Sequence, residues 1–154
     1  MPEQTVLQIA MSFLGSLGFS VLYNIRGTKL LLAALGGALS WALYLFLQPV
    51  WPAEPIRYFL CAAFVAFYGE ILARILKTPA TTFLIPSMIP HIPGGALYTT
   101  MRLAVEKDWT ACLAQAFYTF KLALALAMAI AAVLTAFNVY GIIRTHFQKE
   151  AHRV

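Results

Sequence analysis

Apolar and polar positions alternate along this chain on the scale of whole helices rather than single residues. Five long apolar segments occupy residues 5–23, 29–47, 56–76, 80–101 and 111–143, with short polar turns between them. A helix rises about 1.5 Å per residue, so about 20 apolar residues cross a hydrocarbon core about 30 Å thick. The pattern therefore predicts an all-α, multi-pass membrane protein with about five helical segments, forming a single transmembrane domain over residues 1–154.

The fourth apolar segment differs from the others because it is interrupted by helix-breaking residues. Each proline removes a backbone hydrogen bond and clashes with the preceding turn, so three prolines argue against a continuous helix. We predict two half-helices, residues 80–89 and 95–105, with an irregular centre that must be buried in protein or line a watery cavity. A kinked structural helix is the alternative. The residues of the run are Pro86, Pro90, Pro93, Gly94 and Gly95.

Composition supports a membrane protein and argues against a soluble one. Hydrophobic residues make up 61% of the chain and charged residues 11%, against roughly 45–50% and 25% in soluble domains. The formal net charge of +5 comes from short basic runs between apolar segments, which excludes nucleic-acid binding and indicates membrane orientation. The lipid bilayer is thus the first predicted partner.

The distribution of Lys and Arg predicts the topology. With five crossings, one side of the membrane collects seven basic residues and the other collects three, Arg57, Arg102 and Lys107. The positive-inside rule then predicts a bacterial inner-membrane protein with its N-terminus outside and its C-terminus in the cytoplasm. A re-entrant fourth segment would flatten this bias. The seven are Arg26, Lys29, Arg74, Lys77, Arg144, Lys149 and Arg153.

Broken helices at mid-membrane are typical of secondary transporters, where a half-helix N-terminus faces an anionic group of the substrate. Gly94 and Gly95 follow Pro90 and Pro93 at the start of the second half-helix. Without side chains in the way, they would let the backbone approach a carboxylate closely. His91 is a candidate proton relay or, alternatively, a hydrogen-bonded structural group.

Polar residues elsewhere in the spans complete the candidate site. Glu70 and Arg74 stand four residues apart on one helix face, so they either belong to a substrate or proton path or lie at the membrane interface. Arg74 could hold a substrate carboxylate with two hydrogen bonds. Asn24, Ser87 and Tyr98 are further candidates for lining the path.

No enzyme motif accompanies these residues. The sequence has no G-x-S-x-G elbow, no H-E-x-x-H helix, no P-loop and no acidic cluster for a metal. Its two cysteines, Cys61 and Cys112, lack the spacing of a metal site. We therefore predict a non-enzymatic protein without cofactors or metals.

Four motifs resemble those of the threonine/serine exporter (ThrE) family, specifically its smaller domain, which also occurs as a separate subunit of the YjjB type in a succinate exporter. The resemblance covers nearly the whole chain, and its most specific part is the last motif. The motifs are Leu22-Tyr23-Asn24, then Gly36, Gly37 and Trp41, then Glu70-x-x-x-Arg74-x-x-Lys77-x-Pro79, and finally Ile89-Pro90-His91-Ile92-Pro93-Gly94-x-x-x-Tyr98-x-x-Met101. His91 departs from the family pattern, which more usually has an apolar residue there.

The resemblance implies one subunit of an exporter for small carboxylate-bearing metabolites, such as threonine, serine or a dicarboxylate like succinate. It also implies a larger membrane subunit as partner and export driven by the proton-motive force. Two alternatives stay open at this point: a homo-oligomeric channel, and an assembly subunit without its own substrate site.

Overall fold

A computed structural model of the chain describes residues 2–151, and the side chains of residues 3–143. Within this range the secondary structure is helical throughout, with no strand. Its elements are α1 (Pro2–Leu22), α2 (Thr28–Leu47), α3 (Glu54–Leu76), α4 (Thr81–Met88), a 3-10 turn (Ile89–His91), α5 (Gly94–Val105) and α6 (Trp109–Ala151). The prediction of an all-α protein whose fourth segment is broken is confirmed.

Four of the described helices, α1, α2, α3 and α6, are long and apolar enough to cross a membrane. α6 has 43 residues, about 64 Å at the usual helical rise, so it is longer than a bilayer core requires. It continues beyond the apolar segment that the hydrophobic pattern defined. The topology prediction also used three basic residues whose side chains the structure does not describe: Arg144, Lys149 and Arg153.

Close packing of small residues joins α1 to α2. Ser16 and Ser20 are fully buried, and a Cβ atom added at Gly37 would collide with the Ser16 hydroxyl. Small side chains let helix backbones approach closely, which is how membrane helices associate where lipid is as apolar as leucine. Gln8, near the start of α1, accepts a hydrogen bond from Trp41 Nε1 at 3.3 Å, so the two helices are antiparallel.

Contacts at both ends of α3 show that α3 and α6 run parallel to each other. Tyr118 of α6 hydrogen-bonds Glu54 at the start of α3. At the other end, the ring of Phe137 contacts Phe67 at 5.5 Å and its carbonyl accepts a hydrogen bond from Arg74 Nη2 at 3.4 Å. Two consecutive parallel helices require the chain to return from the end of α3 to the end of the bundle where α3 began. The broken fourth segment, which lies between α3 and α6, makes this return across the bundle.

The bundle therefore has two ends of different character. We call the end that contains the turns 23–27 and 77–80 the basic end, because Arg26, Lys29 and Lys77 lie there. The opposite end, with the connection 48–53 and the start of α3, we call the aromatic end. Its buried residues include Tyr44 and Tyr58, which belong to the main hydrophobic core.

Candidate functional site

The fourth segment breaks where its prolines require it. α4 tolerates Pro86 but ends at Met88, and Pro90 confines the chain to a single 3-10 turn. Ile92 is then extended at φ −64° and ψ 122°, as expected for a residue before proline, and Pro93 caps α5. The irregular stretch is narrower than predicted, because only Ile92 and Pro93 lie outside helical turns.

α4 is anchored deep in the bundle by polar contacts with α2. The Ser87 hydroxyl donates to the Ala33 carbonyl at 2.9 Å, and the Ser40 hydroxyl approaches the Ser87 carbonyl at 3.4 Å. A Cβ atom at Gly36 would collide with the Ser87 side chain and would lie 2.7 Å from Tyr68 Cε1. Ser87, a predicted path residue, is thus fully buried in a helix contact.

His91 lies at the end of the 3-10 turn inside an aromatic cage. Its ring is fully buried, stacks on Trp41 at 5.7 Å between centroids, and meets Tyr44 and Tyr58 at 6.0 Å each. Neither ring nitrogen makes a hydrogen bond of normal geometry within the described residues, although the Ser40 carbonyl lies near the ring. Buried polar groups are normally satisfied, so an unsatisfied imidazole is unusual.

An ionic cluster adjoins this cage at the start of α3. Glu54 accepts a hydrogen bond from Tyr44 at 2.8 Å through one carboxylate oxygen and one from Tyr118 through the other, so it links α2, α3 and α6. Arg57, one turn later, is only 7% exposed and holds its guanidinium 4.7 Å from the centroid of the Tyr44 ring. A buried cation in a membrane protein is expensive and usually functional.

The first residues of α5 are open rather than enclosed. Pro93 is half-buried, whereas Gly94 and Gly95 are exposed, and a Cβ atom at either glycine would have no neighbour within 4 Å. Tyr98, one turn further, is 69% exposed. The Gly94 N–H donates to the Ile92 carbonyl at 2.6 Å and the Leu97 N–H to the Pro93 carbonyl at 3.0 Å. The N–H groups of Gly95 and Ala96 between them have no backbone partner among the described residues, so at membrane depth these two donors require cover from outside the described chain.

Three predicted residues lie at the basic end, away from the break. Asn24 adopts φ 57° in the turn after α1 and accepts a hydrogen bond from Arg26 at 3.0 Å. Glu70 and Arg74 form an ion pair of 3.6 Å, and the Arg74 guanidinium also covers the Phe137 ring at 4.5 Å. Within this structure the candidate residues therefore form two groups, one at each end of α4.

Sequence reasoning missed the ionic part of the cluster. Arg57 enters the sequence analysis only as a basic residue in the topology count, at the start of the third segment, residues 56–76. In the structure α3 begins at Glu54, with Pro55 in its first turn, so Arg57 lies inside the helix. Glu54 and Arg57 share a helix face at a spacing of three residues, which was the available signal. The partnership of Tyr44 and Tyr118, 74 positions apart by their numbering, has no signature in the sequence.

Metal binding finds no support in the described side chains, since no three His, Cys, Asp or Glu residues among them are grouped closely enough to hold an ion. Both cysteines are free. The arrangement is suited to noncovalent recognition: a buried guanidinium, a buried imidazole, and helix N–H groups at a break.

A family model described as "Threonine/Serine exporter, ThrE" matches residues 8–143, which includes most of α1, all of α2 to α5 and most of α6. The chain belongs to the threonine/serine exporter family. No curated protein and no solved structure matches it. Family membership and the apolar helices together identify a membrane protein of a transporter family.

Proposed function

We propose that this chain is one subunit of an exporter for small carboxylate-bearing metabolites, such as threonine, serine or a dicarboxylate like succinate. The observation that carries the proposal is the broken fourth segment of an exporter-family chain. It crosses the bundle, buries His91, and then opens a helix N-terminus at Gly94 and Gly95. Backbone donors at such a break are what carriers use to bind anionic groups.

A second, larger membrane subunit is the partner we propose. The start of α5 and much of its surface are exposed, with Leu97, Tyr98 and Met101 each more than half exposed. Apolar side chains can face lipid, but free N–H groups cannot. A partner that covers the start of α5 would satisfy these donors and complete the path. The chain then acts without enzymatic chemistry.

The substrate path in this proposal runs along α4. Glu70, Arg74 and Asn24 form its entrance at the basic end, and Pro90, Pro93, Gly94, Gly95 and Tyr98 line the break, while Ser87 holds α4 against α2 beside it. Export is driven by the proton-motive force, with Glu70 and His91 as candidate proton carriers. By the positive-inside rule, the basic end faces the cytoplasmic side of the inner membrane.

Efflux measurements test the function directly. Cells that lack the gene are loaded with L-threonine, L-serine or succinate, and the release of each is followed after restoring the chain, with and without the larger subunit. We expect energy-dependent release that needs both subunits and that collapses when a protonophore removes the proton gradient. Equal release from deleted and restored cells for all three solutes would contradict the proposal.

Reconstitution of the purified chain distinguishes the channel alternative. Small-residue faces such as Ser16 against Gly37 could serve self-association as well as internal packing. Solute flux through the chain alone, indifferent to a proton gradient, would favour a homo-oligomeric channel. An assembly subunit would tolerate bulky substitution of Gly95 without loss of export.

A further inference from the structure

Arg57 is a buried cation without a counter-ion among the described residues. The ion pairs of the described side chains are Glu70–Arg74 and Arg102–Glu106, so no carboxylate lies within ion-pair distance of Arg57. Its Nε and Nη1 atoms are buried and have no hydrogen-bond partner in this part of the chain. A buried charge normally has both, because an unpaired one costs several kcal/mol.

Glu54 would be the natural partner of Arg57, one turn away on the same helix, but its carboxylate is engaged elsewhere. Tyr44 and Tyr118 each donate to one of its oxygens. Tyr44 acts twice, since its hydroxyl holds Glu54 while its ring lies against the Arg57 guanidinium. The tyrosines thus keep the cluster's own carboxylate away from Arg57 and leave the guanidinium donors free.

The free donors lie beside the aromatic cage of His91, near the break of the fourth segment. Tyr44 lies against Arg57 and Tyr58 follows it in the chain. Both tyrosines contact the ring of His91, and α5 begins three residues after His91. By contrast, Arg74 at the basic end already has a carboxylate and a carbonyl as partners. Arg102, at the tip of the hairpin formed by α5 and α6, is exposed and paired with Glu106.

The geometry points to Arg57 as the residue that binds the substrate's carboxylate at the aromatic end of the bundle, through its unpartnered Nε and Nη1 donors. This inference rests on the proposed function and names a residue for it. Two parallel N–H bonds from a guanidinium to a carboxylate form the strongest type of charge-assisted contact. Arg57 would then be the last residue that the substrate contacts before its release to the outside.

Trp41 offers a reporter for the test, because its ring stacks on both Tyr44 and His91. Replacing the exposed Trp51 and Trp109, together with the tryptophans of the larger subunit, by phenylalanine leaves Trp41 as the only tryptophan of the complex. The purified complex of the chain with its larger subunit is titrated at constant ionic strength with succinate and L-threonine. Succinamide and L-threoninamide, which lack the carboxylate, are the matched probes.

We expect a saturable change in Trp41 fluorescence with the acids and none with the amides. Arg57→Gln should weaken the apparent affinity by about 10- to 100-fold, and Arg57→Lys should weaken it less but measurably, because a point charge cannot make the paired contact. Arg102→Gln, a cation removed from the same end of the bundle, should leave the affinity unchanged.

Unchanged affinity in Arg57→Gln would overturn the inference while leaving the exporter function intact. If that variant does not fold, unchanged affinity in Arg57→Lys decides equally against it. Loss of the larger subunit from Arg57→Gln, seen by size-exclusion chromatography, together with normal affinity in Arg57→Lys, would show that a partner carboxylate occupies the site and would also overturn it. Absence of both binding and transport in the wild-type complex would contradict the proposed function itself.

Discussion

The contact between α2 and α4 at Gly36 offers the sharpest test of how the broken segment is held. A Cβ atom there would collide with the Ser87 hydroxyl, and it would also lie 3.0 Å from Ser87 Cβ and 2.7 Å from Tyr68 Cε1. Neither neighbour yields easily. Ser87 is hydrogen-bonded to the Ala33 carbonyl at 2.9 Å, and the Tyr68 hydroxyl to the Leu32 carbonyl at 2.8 Å.

Gly36→Ala should therefore destabilise the protein despite alanine's better helix propensity. Overpacking a tight contact costs about 1–3 kcal/mol, and replacing a helical glycine by alanine returns up to about 1 kcal/mol. Gly18→Ala in α1 is the matched control, because a Cβ atom there would have no neighbour within 4 Å. The propensity gain is common to both variants, so their stabilities should differ by about 1–3 kcal/mol, the overpacking term.

Thermal unfolding in detergent, followed by fluorescence-detected size-exclusion chromatography, measures this difference. At about 2–4 °C per kcal/mol, Gly36→Ala should lose its native peak roughly 2–12 °C below Gly18→Ala. Adding Ser87→Ala to the Gly36→Ala variant should recover part of the gap, because it removes the colliding hydroxyl. Equal midpoints for the two glycine variants would refute the close approach of α4 to α2.

Three further predictions follow from the same structure. Tyr118→Phe removes the hydroxyl that links α6 to Glu54 and should cost about 1–2 kcal/mol of stability, whereas Tyr98→Phe on the exposed face of α5 should cost nothing measurable in the same assay. Arg74→Ala should lower the free energy of unfolding by no more than about 1 kcal/mol, since the Arg74 side chain is 45% exposed in its ion pair with Glu70, yet it should abolish export; normal efflux would remove Arg74 from the path. Alkaline phosphatase should be active when inserted in the connection 48–53 and inactive in the turn 77–80, and the reverse result would invert the orientation.

Much of this fold is visible in the sequence because its causes are local. Apolar segments of membrane-spanning length specify the long helices, and Pro90 and Pro93 specify the break. The sequence indicates less about how the segments meet. The cage around His91 combines residues from α2, α3 and the 3-10 turn, and the spacing of residues along the chain does not reveal such long-range contacts.

The candidate site divides along the same line. The break and its glycines were predictable from residue type alone, and the pair Glu70–Arg74 from helical spacing. Arg57 was not, because its burial depends on where α3 begins and on Tyr44 folding over it. Prolines in the first turn of a helix are compatible with helix geometry, so the proline at position 55 marked a helix start rather than a loop.

The central claim is that the broken segment opens at Gly95 into a watery path that the substrate occupies. Gly95→Cys, made with Cys61 and Cys112 replaced by alanine, tests it most directly in the assembled exporter. A membrane-impermeant maleimide should label this cysteine, saturating succinate or L-threonine should slow the labelling, and Phe117→Cys on the apolar face of α6 should stay unlabelled. A Gly95 cysteine as inert as the one at position 117, or labelled at the same rate with and without substrate, would contradict the account.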